Sequence, residues 1–150
     1  MYRHILVATD GSRLSDKAVK QAIQFAKKLK ARLTAIHVVS DYRIRLRQGE
    51  GFPAADLPVL QKRFDEAEAA ATRKIFDKVR NATSKAGIAC DTVAPAGSSA
   101  YEVILRQAAK SRCDLIVMGS HGRSGLQGLL LGSETAKVLS HSKIPVLVCR

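Results

Sequence analysis

Tryptophan is absent from this 150-residue chain, and aromatic residues make up only 5% of it. A core built from such a sequence has to be aliphatic, drawn from Ile, Leu, Val and Ala. That is the usual filling of a parallel sheet covered by helices on both faces. Cysteine is scarce and odd in number: Cys90, Cys113 and Cys149 are scattered, without CxxC spacing. This excludes a disulfide framework and a cysteine metal site, and predicts buried thiols in a reducing compartment. No apolar run approaches the ~20 residues of a membrane-spanning helix. The opening Met1-Tyr-Arg-His reaches charge too early for a secretory leader. A cytoplasmic protein is expected, with no membrane partner.

Acidic side chains are also short in supply, 13 Asp and Glu against 25 Lys and Arg, for a net charge of +12. Such an excess attracts anions in general: nucleotides, nucleic acids, acidic membranes. The cations are nevertheless spread over every segment, and the densest run is only Ala26-Lys-Lys-Leu-Lys30. A basic solvated surface is favoured over a dedicated nucleic-acid site, which net charge alone does not exclude. With 46% apolar residues, the chain is long and greasy enough for one globular domain spanning 1–150.

The most informative stretch runs from Asp114 through Leu-Ile-Val-Met118 to a glycine series at 119, 122, 125, 128 and 132, and ends at Ser133. Its four apolar residues are too few and too β-branched for a helix, as in a strand buried on both faces. Glycine lets the backbone turn with φ > 0 and brings N–H groups close to a ligand. Inward-turned N–H groups form an anion nest, and a helix beginning at Ser133 adds its positive end. Strand, glycine loop and helix start together describe a phosphate cradle. The spacing Gly119-x2-Gly122-x9-Gly132-Ser133 is neither the P-loop nor the dinucleotide fingerprint, and no Lys follows the last Gly.

That spacing resembles the ATP-binding signature of the universal stress protein family, Gly-x2-Gly-x9-Gly-Ser/Thr. Met118-Gly-Ser-His-Gly-Arg123, Leu129-Leu-Leu-Gly-Ser133 and Ile144-Pro-Val-Leu-Val148 resemble that family too, and the resemblance covers the whole chain.

Along the chain, His4 to Thr9 reads as a first buried strand, ending at the turn Asp10-Gly11-Ser12. Ala18, Val19, Ala22, Ile23, Ala26 and Leu29 recur at helical spacing over residues 15–30. Leu33 to Val39 is a second strand. It leads into a Gly- and Pro-containing link through Pro58, expected to be the mobile part. A long helix over 59–86 ends at the cap candidate Gly87. Ile88 to Ala94 alternates like a sheet-edge strand. Ser99-Ala-Tyr-Glu102 reads as a capping box opening a helix to about Lys110. The glycine stretch, a helix from Ser133 to about His141, and a strand from Pro145 to Cys149 complete the chain.

The order βαβαβαβαβ specifies a parallel sheet with right-handed crossovers. The resemblance implies a three-layer, doubly wound α/β sandwich with strand order 3-2-1-4-5. In that order the loops after strands 1 and 4 meet at a switch-point crevice. Asp10 and Gly119 end those two strands.

Thr9-Asp10 matches the family's strand-1 Asp: the carboxylate is placed to meet adenine, ribose or a phosphate-borne metal, or to cap the first helix. Val38 matches a position whose backbone meets adenine; on residue type alone it is a core valine. Met118 and Gly119 are expected on the ribose side. Gly122, Arg123, Gly132, Ser133, Glu134 and Thr135 are expected around the phosphates. Arg123 pairs with phosphate or only with water, both readings standing level. His121 is a candidate phosphate donor and lacks neighbours for metal binding. His37 reads as a satisfied core histidine; His4 and His141 carry no assignment. Arg43, Arg45 and Arg47 share one face of an extended segment, as a phosphate lid or, more simply, a solvated loop. Leu129 to Leu131 reads as a short helix on the core.

The last strand is a sheet edge, which proteins seldom leave bare. The resemblance implies a homodimer through Val146–Cys149. It also implies ATP as ligand, with Mg²⁺ held through the phosphates, in a nucleotide-dependent stress regulator or sensor. Slow hydrolysis or autophosphorylation is an open possibility without an evident general base. The alternatives are a basic adaptor for an acidic protein or nucleic acid with a vestigial pocket, and a site for AMP or a cyclic nucleotide.

Overall fold

The computed structural model describes residues 1–41, 57–123 and 131–150. Five strands form one parallel sheet: β1 (His4–Ala8), β2 (Arg32–Ile36), β4 (Cys90–Val93), β6 (Leu115–Gly119) and β7 (Val146–Cys149). Their spatial order is β4-β2-β1-β6-β7. Counting only these five in chain order, that is the expected 3-2-1-4-5. Chain order therefore reverses between β1 and β6.

Strand side chains alternate between two helical layers, as the period of two requires. Ile5, Val7, Leu33, Ala35, Leu115 and Val117 meet α1 (Arg13–Leu29) and the second half of α2 (Leu57–Ala86). Leu6, Ile36, Ile116 and Met118 meet α3 (Ala100–Lys110) and α4 (Ser133–His141). β1 and β6 are apolar at successive positions because both of their faces are covered. Asp114 ties the starts of these central strands together. Its carboxylate accepts from the N–H groups of Arg3, at 2.8 and 3.1 Å, and His4, at 3.0 Å.

α1 begins at Ser12, whose hydroxyl accepts from the Ser15 N–H at 3.3 Å. α2 ends at Gly87, in the left-handed region at φ +69, where Ile88 N–H returns to Thr83 O at 2.9 Å. Cys90, Cys113 and Cys149 are free thiols. Burial pushes the first two up to about 11, and Cys149 upward as well, so all three stay protonated at neutral pH.

Three expectations need correction or fall elsewhere. The second strand does not run unbroken to Val39. β1 turns away after Thr9, whose N–H makes the last bond to Ile36 O at 2.9 Å. Beyond that point the chain keeps only its other neighbour, so β3 (Val39–Ser40) pairs with β5 (Ala96–Gly97) in a separate two-stranded parallel sheet. The capping box at Ser99 does not form: the Ser99 side chain makes no cap bond, and the Glu102 carboxylate accepts from Tyr101 Oη at 3.1 Å instead. The link with Arg43, Arg45 and Arg47, and Leu129 and Leu130, lie outside the described residues.

Ile116 is fully buried in the central strand, against the α3 and α4 layer. Ile116→Ala is expected to lower the unfolding free energy by about 2–5 kcal/mol, measured by denaturant titration.

Candidate functional site

The sheet brings the ends of β1 and β6 side by side, and what lies beyond each end is chemically different. After β1, Thr9 is buried and its hydroxyl lies 3.2 Å from Ser15 Oγ. Asp10 Oδ1 accepts from the Ser12 N–H at 3.0 Å. Gly11 then turns at φ +77, where an added Cβ would stand 3.0 Å from Ile75 Cγ1 and 3.2 Å from Arg123 Nη2. Both backbone angle and room require glycine there. The Arg123 guanidinium thus lies against Gly11.

After β6, the glycine loop approaches the same carboxylate. Asp10 Oδ2 accepts from the Arg123 N–H at 2.7 Å. A Cβ on Gly122 would fall 2.7 Å from that oxygen, a separation real Cβ atoms essentially never show. Ser12, not Asp10, caps α1; Asp10 instead holds the turn before the helix and latches the two loops together. Burial is the largest influence on Asp10 and opposes its ionisation. Hydrogen bonds from the Ser12 hydroxyl and N–H, the Arg123 N–H and the Ser15 hydroxyl together outweigh it and hold the carboxyl below its ordinary value of 3.8.

α4 is anchored to the same strand end. The Gly132 N–H donates to Ser120 O at 2.7 Å, and the Thr135 hydroxyl donates to Gly119 O at 3.0 Å. Gly132 is the N-cap, with no side-chain cap bond, so among the described residues nothing caps the first-turn N–H groups of α4. Glu134, in that first turn, turns its carboxylate to the neighbouring helix. Its Oε2 accepts from the Tyr101 N–H at 2.8 Å, and its Oε1 from Lys137 Nζ at 3.2 Å. The cap that Ser99 fails to provide for α3 comes from α4.

These elements enclose a cavity of about 540 Å³. Twelve residues nominated from the sequence line it: Thr9 and Asp10 after β1; Val38 after β2; Met118, Gly119, His121, Gly122 and Arg123 after β6; Gly132, Ser133, Glu134 and Thr135 at α4. The lining divides by chemistry. Ala8, Ile36, Val38, Ile104 and Met118 supply apolar wall, while Asp10, His121, Arg123 and Ser133 supply polar groups. That combination suits a ligand with one apolar and one charged end.

The histidines differ in their commitments. His37 is buried, its Nδ1–H donates to Thr9 O at 2.9 Å, and its ring meets Phe76 edge-on. It is a satisfied core histidine that also touches the cavity. His121 Nδ1 lies 3.1 Å from Ser120 Oγ, while its Nε2 is buried without a partner among the described residues. His4 bonds Thr34 Oγ1 at 2.8 Å, far from the cavity in function, and His141 bonds Lys137 O at 2.9 Å.

Sequence reading missed Ser15, Ser40, Ala100 and Ile104, all on the cavity wall. The signal for the last two was available: in a doubly wound fold, helices leave from the carboxyl ends of strands, so the start of α3 opens onto the crevice. Among the described residues no cluster of three His, Cys, Asp or Glu exists that would hold a metal by itself. No described helix is long and apolar enough to cross a membrane.

A parallel doubly wound sheet with a cavity at its switch point defines a broad class of ligand-binding α/β proteins. Within that class, the model of the universal stress protein family matches residues 1–150, and the chain belongs to that family. It is 32% identical over 150 residues to universal stress protein YxiE of Bacillus subtilis, covering 100% of both chains. It is 34% identical over 150 residues to universal stress protein MJ0531 of Methanocaldococcus jannaschii, covering 100% of this chain and 83% of that protein. Among solved structures, universal stress protein UspA from Lactobacillus plantarum matches with a TM-score of 0.83 at 28% identity, covering 99% and 98% of the two chains. A universal stress protein in complex with cAMP matches with a TM-score of 0.71 at 30% identity, covering 99% and 97%.

Because the folded Asp10 carboxyl titrates below the unfolded one, its contribution is full above 3.8 and is lost as pH falls through the lowered folded value. Asp10→Ala is expected to be less stable than wild type by about 1–3 kcal/mol at neutral pH. The gap should narrow in acid. A gap that stays constant down to about pH 2 in denaturant titrations would show that the ionised carboxylate does not hold the loops.

Proposed function

We propose that the cavity is an adenine-nucleotide site, occupied by ATP, in a cytoplasmic nucleotide-dependent stress regulator or sensor that works as a homodimer through β7. The observation that carries this reading is the convergence on one cavity of a carboxylate-latched turn, a glycine loop and an uncapped helix start. The cavity's volume of about 540 Å³ lies within the ~300–1,000 Å³ common for small-molecule sites. Its apolar wall suits the base. The Gly122–Arg123 and Gly132–Thr135 stretches suit the phosphates, with N–H groups and the macrodipole of α4 directed at negative charge. The unpartnered His121 Nε2 and the Arg123 guanidinium suit the same anionic end.

Mg²⁺ enters with the phosphates. The carboxylates on the cavity wall, Asp10 and Glu134, are each committed to backbone N–H groups. The cation is therefore held mainly through phosphate oxygens and water. A related universal stress protein was solved with cAMP, which favours AMP or a cyclic nucleotide as the second reading. Turnover is a separate matter: hydrolysis needs a group that orients water, and His37 is spent on Thr9 O. Slow hydrolysis or autophosphorylation on Ser or Thr is the limit of the chemistry proposed.

Calorimetric titration of nucleotide-stripped protein is expected to give micromolar Mg-ATP binding in wild type. Gly122→Val, which drives a side chain into Asp10, should abolish it. Tighter binding of AMP or cAMP than of ATP would replace the ligand, and no binding of any of the three would sink the reading. With γ-labelled ATP, slow transfer of label to the protein or to phosphate is expected; none over hours would remove catalysis and leave the sensor.

A further inference from the structure

The outer face of α1 is unlike a mixed solvated surface. The helix turns Ser15, Ala18, Val19, Ala22, Ile23 and Ala26 into the protein. Arg13, Lys17, Lys20, Gln24, Lys27 and Lys28 are all exposed on the opposite side. At 3.6 residues per turn these six fall within an arc of about 100° and along about 22 Å of axis. The face carries five cations and one neutral amide.

Their charge is not balanced nearby. Asp16, the acidic residue of α1, is paired with Lys78 of α2. Lys17 Nζ reaches the Arg150 carbonyl oxygen at 3.4 Å. Arg13, Lys20, Lys27 and Lys28 have no carboxylate partner among the described residues. Local helix energetics do not account for the pattern. Lys27 and Lys28 suit the negative end of the macrodipole, but Arg13 sits at the positive end. Arg13 with Lys17, and Lys17 with Lys20, are like-charge neighbours at i,i+4 and i,i+3, an arrangement that weakens a helix.

The composition of the stripe also restricts its partner. Among the described residues the exposed large apolar ones are Met1, Tyr2, Val59 and Leu139, and none belongs to α1. A bilayer would have nothing apolar here to take up. The stripe holds no aromatic ring for stacking unpaired bases. Four of its five cations are lysines, which offer a point charge rather than the guanidinium fork suited to a guanine edge. A row of cations about 22 Å long, without rings or apolar side chains, complements the closely spaced charges of a phosphate backbone. We infer that the outer face of α1 docks on the phosphate backbone of double-stranded nucleic acid, without sequence preference.

The test is fluorescence anisotropy of a labelled duplex of scrambled sequence, titrated with the full chain over a range of salt. Five phosphate contacts predict a slope of log K against log salt of about −4.5. The triple variant Lys20→Gln, Lys27→Gln, Lys28→Gln should make that slope shallower by about three. A charge-matched control, Lys62→Gln, Lys85→Gln, Lys110→Gln, should leave it unchanged. Circular dichroism melts check that both variants fold; should the triple variant melt early, Lys20→Gln alone should lower the slope by about one. Equal losses in stripe and control variants would overturn the proposal in favour of diffuse net charge. Tighter binding to phosphatidylserine vesicles or polyglutamate than to the duplex, or no duplex binding at low salt, would overturn it as well.

Discussion

The Asp10 carboxylate holds N–H groups from two loops that are 113 residues apart in the chain. Strand order alone makes those loops neighbours, because β1 and β6 are adjacent. It does not fix the distance between them, since the first loop turns at Gly11 and the second leaves β6 through Gly119. One anionic side chain with an N–H on each oxygen converts proximity into a defined geometry, and charge-assisted bonds of this kind are about twice as strong as neutral ones. The left-handed turn at Gly11 and the missing Cβ at Gly122 are the steric conditions for it. The floor of the cavity depends on this junction.

Around that floor, two helix starts are treated differently. α3 and α4 both open onto the cavity, and each would present a partial positive charge. The start of α3 is occupied by the Glu134 carboxylate. The start of α4 carries no side-chain cap. The result is a cavity with one available positive helix end instead of two, and Glu134 creates that asymmetry while sitting on the helix it leaves open.

Much of this was legible in the sequence because the strongest signals were local and redundant. Ile5 to Val7 and Leu115 to Met118 could only be strands buried on both faces, and Asp10, Gly119 and Gly122 announced the loops beyond them. The order of the strands came from resemblance, since periodicity carries no information about neighbours. Both failures turn on neighbours distant in sequence, which local spacing does not report. Ser99 had the right position to cap α3, yet Glu134 does so. Leu33 to Val39 had the composition of one strand, yet it loses β1 as a neighbour at Thr9 and divides. The basic face of α1 was legible only as the polar side of an amphipathic helix. Arg13, Lys17 and Lys20 stand three and four apart, and they line up with Lys27 and Lys28 only when wound on the helix.

The bond from Gly132 N–H to Ser120 O, at 2.7 Å, and that from Thr135 to Gly119 O close the glycine segment at its base. Both acceptors are main-chain carbonyls at the end of the central strand β6, so α4 takes its direction from that strand. Any shift of the strand end would swing the helix, and the partial positive charge at its start, with it.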